Sequence, residues 1–313
     1  MNILVTAIGS MSAECVVDSL NNLGVKVVAT DIYPKEYHPI ARKCKDFVQV
    51  PKVFPNVDSY CQSILTAAIK NKCEAIIPLT DPEVDVLSDQ RHLFSAAGIE
   101  VWLASDATIK CAREKDSWTA RLSNSQSFKM IPTFDNFSSL CRNYAGDFVA
   151  KRVNGRSSEG ILFSDTVNFK GDIRYGKGYL FQPLLVGDII TVDFARHPLS
   201  GQVVLVPRVE LMRTKNGAGT VVRILSPDDY KSPIEELVES LELTGVMNCE
   251  FIQNNEGLFL MDINPRFSAG VSFSRMAGYD FIKANMQCYS SKLISEAAGI
   301  VEGQIFVKRF CDY

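Results

Sequence analysis

Short apolar runs alternate with amphipathic stretches through the first hundred residues, and Ile3 to Thr6, Val25 to Thr30, Phe47 to Val50, Ala75 to Leu79 and Val101 to Ala104 read as strands. Between the first two, Ala13, Val16, Val17, Leu20 and Leu23 recur at helical spacing, with Ser10 or Ser12 as a cap. Thr80-Asp81-Pro82-Glu83 opens a further helix. A proline in the first turn gives up an N–H that has no helical partner, and the acids lie at the positive end of the helix dipole. Strand and helix in steady alternation predict a parallel α/β unit.

The pattern changes from about residue 110. A helical stretch around Ile109 to Leu122 leads to the strand Phe148-Val149-Ala150-Lys151, then a polar Gly/Ser loop, then antiparallel-looking strands. Turn signals at His197-Pro198-Leu199-Ser200-Gly201, Lys215-Asn216-Gly217 and Asn254-Asn255-Glu256-Gly257 separate those strands. The expected organisation is an α/β, Rossmann-like domain over 1–108 and an α+β domain over 109–313. A small lid subdomain is expected at about 118–180, and the two domains are expected to meet at a cleft.

With 313 residues, 46% of them hydrophobic, the chain can bury the cores of two domains. A net charge of -3 supplies no field for holding a polyanion, so no nucleic acid or membrane partner is expected and small molecules fit better. Nine cysteines without a CxxC pair, beside three histidines, argue against a zinc site and a disulfide framework. No segment reaches the roughly 18 apolar residues of a membrane span, and the start lacks the basic region of a signal peptide. A reducing cytoplasmic setting is expected, and a homodimer is left open.

The candidate chemistry centres on a hairpin between Val246 to Gln253 and Leu258 to Asn264. A three-residue loop, Asn255-Glu256-Gly257 with glycine in the left-handed position, sets Asn254 against Leu258 and Glu250 against Asp262. Alternation then puts Asp262 and Asn264 on one face, with Met261 and Ile263 on the other. Directly opposed carboxylates repel and need a cation or an exposed surface. Mg²⁺, which takes a few carboxylate or amide oxygens and completes its octahedron with water and phosphate, is such a cation. Arg266, just past the strand, can present its planar donor fork to an anionic intermediate. Acids and amides at strand ends are also often simply solvated.

Lys151 ends an apolar strand and precedes Arg152-Val153-Asn154-Gly155-Arg156-Ser157-Ser158-Glu159-Gly160. Backbone N–H groups and hydroxyls of such a loop, with a lysine beneath, suit a triphosphate, although the spacing is not that of Walker A. An ordinary exposed loop has the same composition. Tyr179-Leu180-Phe181-Gln182-Pro183-Leu184-Leu185-Val186-Gly187-Asp188 joins two apolar runs, and Pro183 removes a ladder donor where backbone groups can face a base edge.

Asn248-Cys249-Glu250-Phe251, the turn, and Leu260-Met261-Asp262-Ile263-Asn264-Pro265-Arg266 resemble the metal-binding end of the ATP-grasp superfamily, especially its carbamoyl-phosphate synthase-like carboxylate-amine ligase branch. The likeness runs over nearly the whole chain and implies a pre-ATP-grasp domain followed by an ATP-grasp domain. It implies that Glu250, Asp262 and Asn264 ligate two Mg²⁺ ions, with Mn²⁺ able to substitute, and that Arg266 supports an acyl phosphate. Lys151 matches the family's phosphate lysine, Ser157, Ser158 and Gly160 the small residues of its glycine-rich loop, and Lys115 its first phosphate lysine. Gln182, Pro183, Leu184 and Leu185 match the adenine hinge, and Arg208 an arginine that contacts the γ-phosphate or acyl phosphate. Arg213 and Arg223 stay unassigned. The chain departs from the family at Arg152, where proline is common, and at Ile189, where an acid is frequent; Asp188 is then the candidate for the ribose contact.

The resemblance implies an ADP-forming ligase. The ATP γ-phosphate passes to a substrate carboxylate, and an amine attacks the acyl phosphate to give an amide or peptide-type bond. The alternatives are a carbamoyl-phosphate or carboxyphosphate synthase component and a non-catalytic nucleotide-binding protein. An NAD(P)-dependent oxidoreductase would rest on Thr6-Ala7-Ile8-Gly9-Ser10 and Asp31, where one glycine falls short of G-x-G-x-x-G. Asp81 and Glu83 either face the cleft and a substrate amine or serve their own helix.

Overall fold

The computed structural model of the chain describes residues 1–153, 160–169, 178–290, 292–297 and 299–309. Its first sheet consists of β1 (Asn2–Val5), β2 (Lys26–Asp31), β3 (Asp46–Gln49), β4 (Ala75–Ile77) and β5 (Glu100–Val101) in the order β3-β2-β1-β4-β5. Every pairing in it is parallel, as the alternation of apolar runs and helices predicts. The helix Ala13–Asn22 starts after Ser12, but the Ser12 hydroxyl meets Ser10 Oγ at 3.3 Å rather than capping the helix. The stretch expected as one helix around 109–122 is two, Asp106–Arg113 and Lys115–Arg121, because Glu114 leaves the helical region with φ -89° and ψ 78°. That break places Lys115 at the first position of a helix.

Beyond it come β6 (Lys129–Met130), β7 (Asp147–Arg152), β8 (Leu162–Asp165) and β9 (Tyr179–Pro183). They are followed by β10 (Asp188–Arg196), β11 (Val203–Arg213), β12 (Gly219–Ile224), β13 (Gly245–Asn254), β14 (Gly257–Asn264) and β15 (Ile305–Val307). The larger sheet has the order β15-β12-β11-β10-β13-β14-β6 and is antiparallel except where β6 joins β14. The smaller sheet, β8-β7-β9, is antiparallel. Each of the turn signals read from the sequence separates a strand pair: 197–201 lies between β10 and β11, 215–217 between β11 and β12, and 255–256 between β13 and β14.

Two large apolar clusters draw on both main sheets. In one, Leu4, Val28 and Ile76 join Ile190, Val192, Phe194 and Phe251 through the helices Val57–Lys70 and Asp228–Ser240. In the other, Ile3, Val27 and Ile77 join Val204, Val206 and Val222 through Ala13–Asn22 and Phe281–Cys288. This continuous burial holds the strand ends of the two sheets in a fixed relation. The β8-β7-β9 sheet has its own small cluster of Leu140, Phe148, Ala150 and Phe181, edged by Phe134, Phe137 and Phe169. Among the described residues no helix is long and apolar enough to cross a membrane.

Candidate active site

Glu250 on β13 faces Asp262 on β14, the pairing that the sequence predicts, but the chain reaches it by another route. The turn contains two residues, so Asn254 faces Gly257 instead of Leu258. Gly257 has φ +138°, a value that a side chain would disfavour. One step further along, Met261 is an extra residue between the pairs Phe251↔Leu260 and Glu250↔Asp262, and this β-bulge restores the register. The shorter turn and the bulge offset each other. The bulge also changes a face: Leu260 and Ile263 are buried in the core, whereas Met261, expected beside Ile263, lines a cavity together with Asp262.

That cavity has a volume of about 320 Å³ and lies between the β8-β7-β9 sheet and the hairpin. One part is apolar, formed by Ile131, Leu184, Leu185, Ile189, Ile252 and Met261; the other carries Lys115, Lys151, Arg213, Glu250 and Asp262. An apolar slot that runs into a charged end suits a flat base with a polyanionic tail. Lys115 Nζ lies 3.1 Å from Asp262 Oδ1, and Arg213 Nη2 donates to Glu250 Oε1 at 2.9 Å. Burial, with the Lys115 ammonium nearby, pulls Lys151 down to about 8, against the pull of Asp262. Burial, reinforced by Glu210 and Asp262 and opposed by Arg213, pushes the Glu250 carboxyl up to about 7.

Gln182, Pro183, Leu184 and Leu185 all line this cavity. The buried Gln182 side chain donates to Thr133 Oγ1 at 2.7 Å, and the Leu184 N–H is committed to Asp147 O at 2.8 Å. Asp188 does not share the wall. Alternation along β10 puts Ile189 and Thr191 on the cavity side and Asp188 on the face of Ile190, so the ribose contact assigned to Asp188 is not supported by its position. Ser157 and Ser158 lie outside the described residues. Gly160 has φ +71°, and Ile161 and Phe163 just after it reach the cavity wall.

A second cavity of about 250 Å³ adjoins the first and is lined by Arg208, Arg266, Asn264, Ser268 and the small residues of the 216–219 turn. Arg208, only 1% exposed, donates to Asp193 Oδ2 at 2.7 Å and Ser268 Oγ at 3.0 Å. Gly270 lies against its guanidinium so closely that a Cβ there would be 2.8 Å from Nη2. Arg266 forms a bidentate bridge to Asp81, with Nε to Oδ1 at 2.9 Å and Nη2 to Oδ2 at 2.8 Å, while Arg113 adds a bond of 2.8 Å. Burial alone would raise the Asp81 carboxyl, but the two guanidiniums outweigh it and hold it well below the carboxylate range. Asn264 Nδ2 donates to Asn248 Oδ1 at 3.3 Å.

Neither Asp81 nor Glu83 is open to a substrate amine. Asp81 is enclosed by the two arginines, and Glu83 accepts from Thr6 Oγ1, Thr80 Oγ1 and Tyr60 OH at 2.7, 2.7 and 2.9 Å. Of the two arginines that the sequence leaves unassigned, Arg213 and Arg223, it is Arg213 that lines both cavities. Strict alternation would place Met212 on the face of Arg208 and Glu210, but irregular pairing around Met212 turns Arg213 onto it and leaves Met212 exposed. Arg213 Nε lies 2.6 Å from Glu210 Oε2. A bulge is the one local feature that overrides period-2 reading, and nothing in this strand's residue types announces it.

The turn after β1 is closed by its own domain. Gly9 N donates to Asp31 Oδ2 at 2.9 Å, His38 Nε2 lies 3.3 Å from Asp31 Oδ1, and a Cβ on Gly9 would be 2.9 Å from His38 Cε1. Asp31 is thus consumed and the glycine face covered, which leaves no place for a dinucleotide ribose. Among the described residues no three His, Cys, Asp or Glu side chains cluster as a metal site. A metal at the hairpin therefore depends on two carboxylates, the Asn264 amide and oxygens from outside the protein, a set that suits Mg²⁺.

Known proteins share the fold that holds this site. Residues 3–102 match the family model "PylC-like, N-terminal domain", and residues 177–307 match "ATP-grasp in the biosynthetic pathway with Ter operon". No curated protein matches the chain in sequence. Among solved structures, biotin carboxylase from Campylobacter jejuni superposes with a TM-score of 0.77 at 13% identity, over 97% of this chain and 74% of that one. The biotin carboxylase domain of 2-oxoglutarate carboxylase from Hydrogenobacter thermophilus, a dimer in complex with MgADP and bicarbonate, gives 0.75 at 16% identity, over 97% and 73%. N5-carboxyaminoimidazole synthetase from Staphylococcus aureus gives 0.67 at 14%, over 98% and 79%. The protein has an α/β pre-ATP-grasp domain joined to an ATP-grasp domain. Residues 177–307 thus match an ATP-grasp model, and the chain shares its fold with these solved structures.

Proposed function

We propose that the chain is an ATP-dependent ligase that converts a small carboxylate to its acyl phosphate and condenses it with an amine, releasing ADP and phosphate. The observation that carries this reading is the Glu250–Asp262 pair, opposed in register in the wall shared by an apolar-to-charged cavity and a smaller polar one. In this reading residues 1–108 and 109–313 are the two domains, and about 118–180 is the lid.

The nucleotide base lies against Ile131, Ile189, Ile252 and Met261, and its phosphates meet Lys115 and Lys151. An oxygen of the substrate carboxylate forms a bond to the γ-phosphorus while the bond to the β,γ-bridging oxygen breaks and its electron pair leaves with ADP. The amine nitrogen then attacks the acyl carbon; the C–O bond to phosphate breaks, phosphate leaves with the pair, and the nitrogen gives up a proton. Carboxylate alone is a poor electrophile, which is why phosphorylation comes first. The chain contributes position and positive charge and no side-chain nucleophile.

Two facing carboxylates that each already hold a cationic side chain are suited to divalent cations. Glu250, Asp262 and Asn264 would hold them, and Mg²⁺ bound there neutralises phosphate charge. Arg266, locked in its bridge to Asp81, presents an oriented guanidinium edge to the smaller cavity.

The test is ADP release from MgATP in a screen of carboxylates, each with and without amines. Release that needs both partners supports the ligase; nucleotide binding with no turnover for any pair removes it. A second reading, bicarbonate as the carboxylate, is favoured by the small volume of the second cavity and by the neighbour solved with bicarbonate. ADP release that follows bicarbonate instead of any organic acid would select it.

A further inference from the structure

We infer that Arg213 is the catalytic cation that carries the phosphoryl group between the two cavities, an assignment that rests on the ligase reading above. Among the described residues, Arg213, Glu250 and Asp262 are the ones that line both cavities. A phosphoryl group that leaves a nucleotide in the first and joins a carboxylate in the second must cross the wall they form. Two of the three are acids, which repel it. The crossing anion needs a cation there, and Arg213 is the side chain that supplies one.

The other cations are placed differently. Lys115, Lys151 and Arg152 line the nucleotide cavity and not the second one. Arg208 and Arg266 line the second and not the first, and each is fixed to an acid at its back, Asp193 and Asp81. Arg213 is held at its Nε side by Glu210, which itself accepts from the Thr191 hydroxyl at 2.7 Å and lies where a Cβ on Gly219 would be 2.9 Å from its Cδ. Its Nη2 side instead bonds Glu250 at 2.9 Å, a carboxylate that the ligase reading assigns to the metal. A cation held by Glu250 would free Nη2 for the anion, with Nε still on Glu210.

The step is the phosphoryl transfer already written: the new P–O bond forms to the carboxylate oxygen, the bond to the bridging oxygen of ADP breaks, and no proton moves. Arg213 donates hydrogen bonds to the equatorial phosphoryl oxygens throughout, which lowers the cost of passing two carboxylates.

The experiment compares calorimetric binding of Mg·ADP with that of the Mg complex of the non-hydrolysable β,γ-imido analogue of ATP. Arg213→Ala should weaken the analogue by roughly tenfold to a hundredfold, the value of a charge-assisted hydrogen bond, and leave Mg·ADP within about twofold. Arg213→Lys keeps the charge and should show a smaller loss, again confined to the analogue. Equal losses for both nucleotides, or no loss for either, would overturn the assignment while the ligase reading stands. If the unaltered protein binds neither nucleotide, the ligase reading fails and takes the assignment with it.

Discussion

Two turns in this molecule present an acid beside a strand end where a nucleotide would be sought, and only one of them leaves room for it. After β1, Asp31 is spent on Gly9 N and His38, partners from its own domain, and the glycine face is covered by the imidazole. At the hairpin, Glu250 and Asp262 are also paired, with Arg213 and Lys115, but these partners are long cationic side chains lining an open cavity. Pairing with a buried ring closes a site, whereas pairing with an exchangeable cation keeps one ready for an anion. The difference lies in the partner, not in the acid.

Asp262→Ala and Glu250→Ala test the comparison most severely. Each should reduce ADP release with an active substrate pair by on the order of a hundred- to a thousandfold, the scale of losing one preorganised electrostatic element. Steady-state turnover at saturating Mg²⁺ measures it, and unaltered turnover would return the pair to the solvated acids of an ordinary strand end.

Asp81 is the point at which the first domain does reach the cleft. Removing it leaves Arg266 and Arg113 beside a buried vacancy, and Asp81→Ala should cost roughly 3 kcal/mol of stability, as expected for a broken buried ion pair. Denaturant midpoints measure that cost. Turnover should fall as well, because Arg266 loses both arms of its bridge; a stability loss with unchanged turnover would confine Asp81 to holding the domains together.

Much of this arrangement is legible in residue order. Apolar alternation gives the parallel strands, Gly-containing turns give the antiparallel ones, and Asp262-Ile263-Asn264-Pro265-Arg266 points to the acid pair. The details that escape are those where the backbone departs from its period. Met261 and Arg213 both owe their direction to bulges, which arise from how two strands meet and leave no mark in composition. Asp81 escapes for another reason: its partner Arg266 lies 185 positions away, and only the packing of the two sheets brings them together. Asp188 and Ile189 show the same limit on a smaller scale: neighbours in sequence, they face opposite ways on β10, and only Ile189 lines the cavity.

Lys151 gives the comparison a pH signature. Its ammonium is present below about 8 and lost as pH rises through that value, so Mg·ADP affinity should fall between pH 7 and pH 9. Lys151→Met should lose on the order of tenfold in affinity at pH 7 and lack the fall above about pH 8. Folding stability moves the other way. The unfolded lysine stays protonated to about pH 10.4, so between about 8 and that value the unfolded chain binds more protons and this residue's contribution to stability rises with pH. Binding that weakens while stability improves separates a titrating phosphate lysine from general loss of structure.

The smallest effect is expected at the closed turn. Gly9→Ala inserts a Cβ 2.9 Å from His38 Cε1, so the ring must move off the glycine face and loosen its contact with Asp31. Overpacking of this kind costs about 1–2 kcal/mol, visible as a lower melting temperature. The cleft draws on other elements, so ADP release should change by less than the stability does. If instead Gly9→Ala abolished nucleotide binding with the fold intact, the turn after β1 would be part of the nucleotide site after all, and His38 its lid rather than its plug.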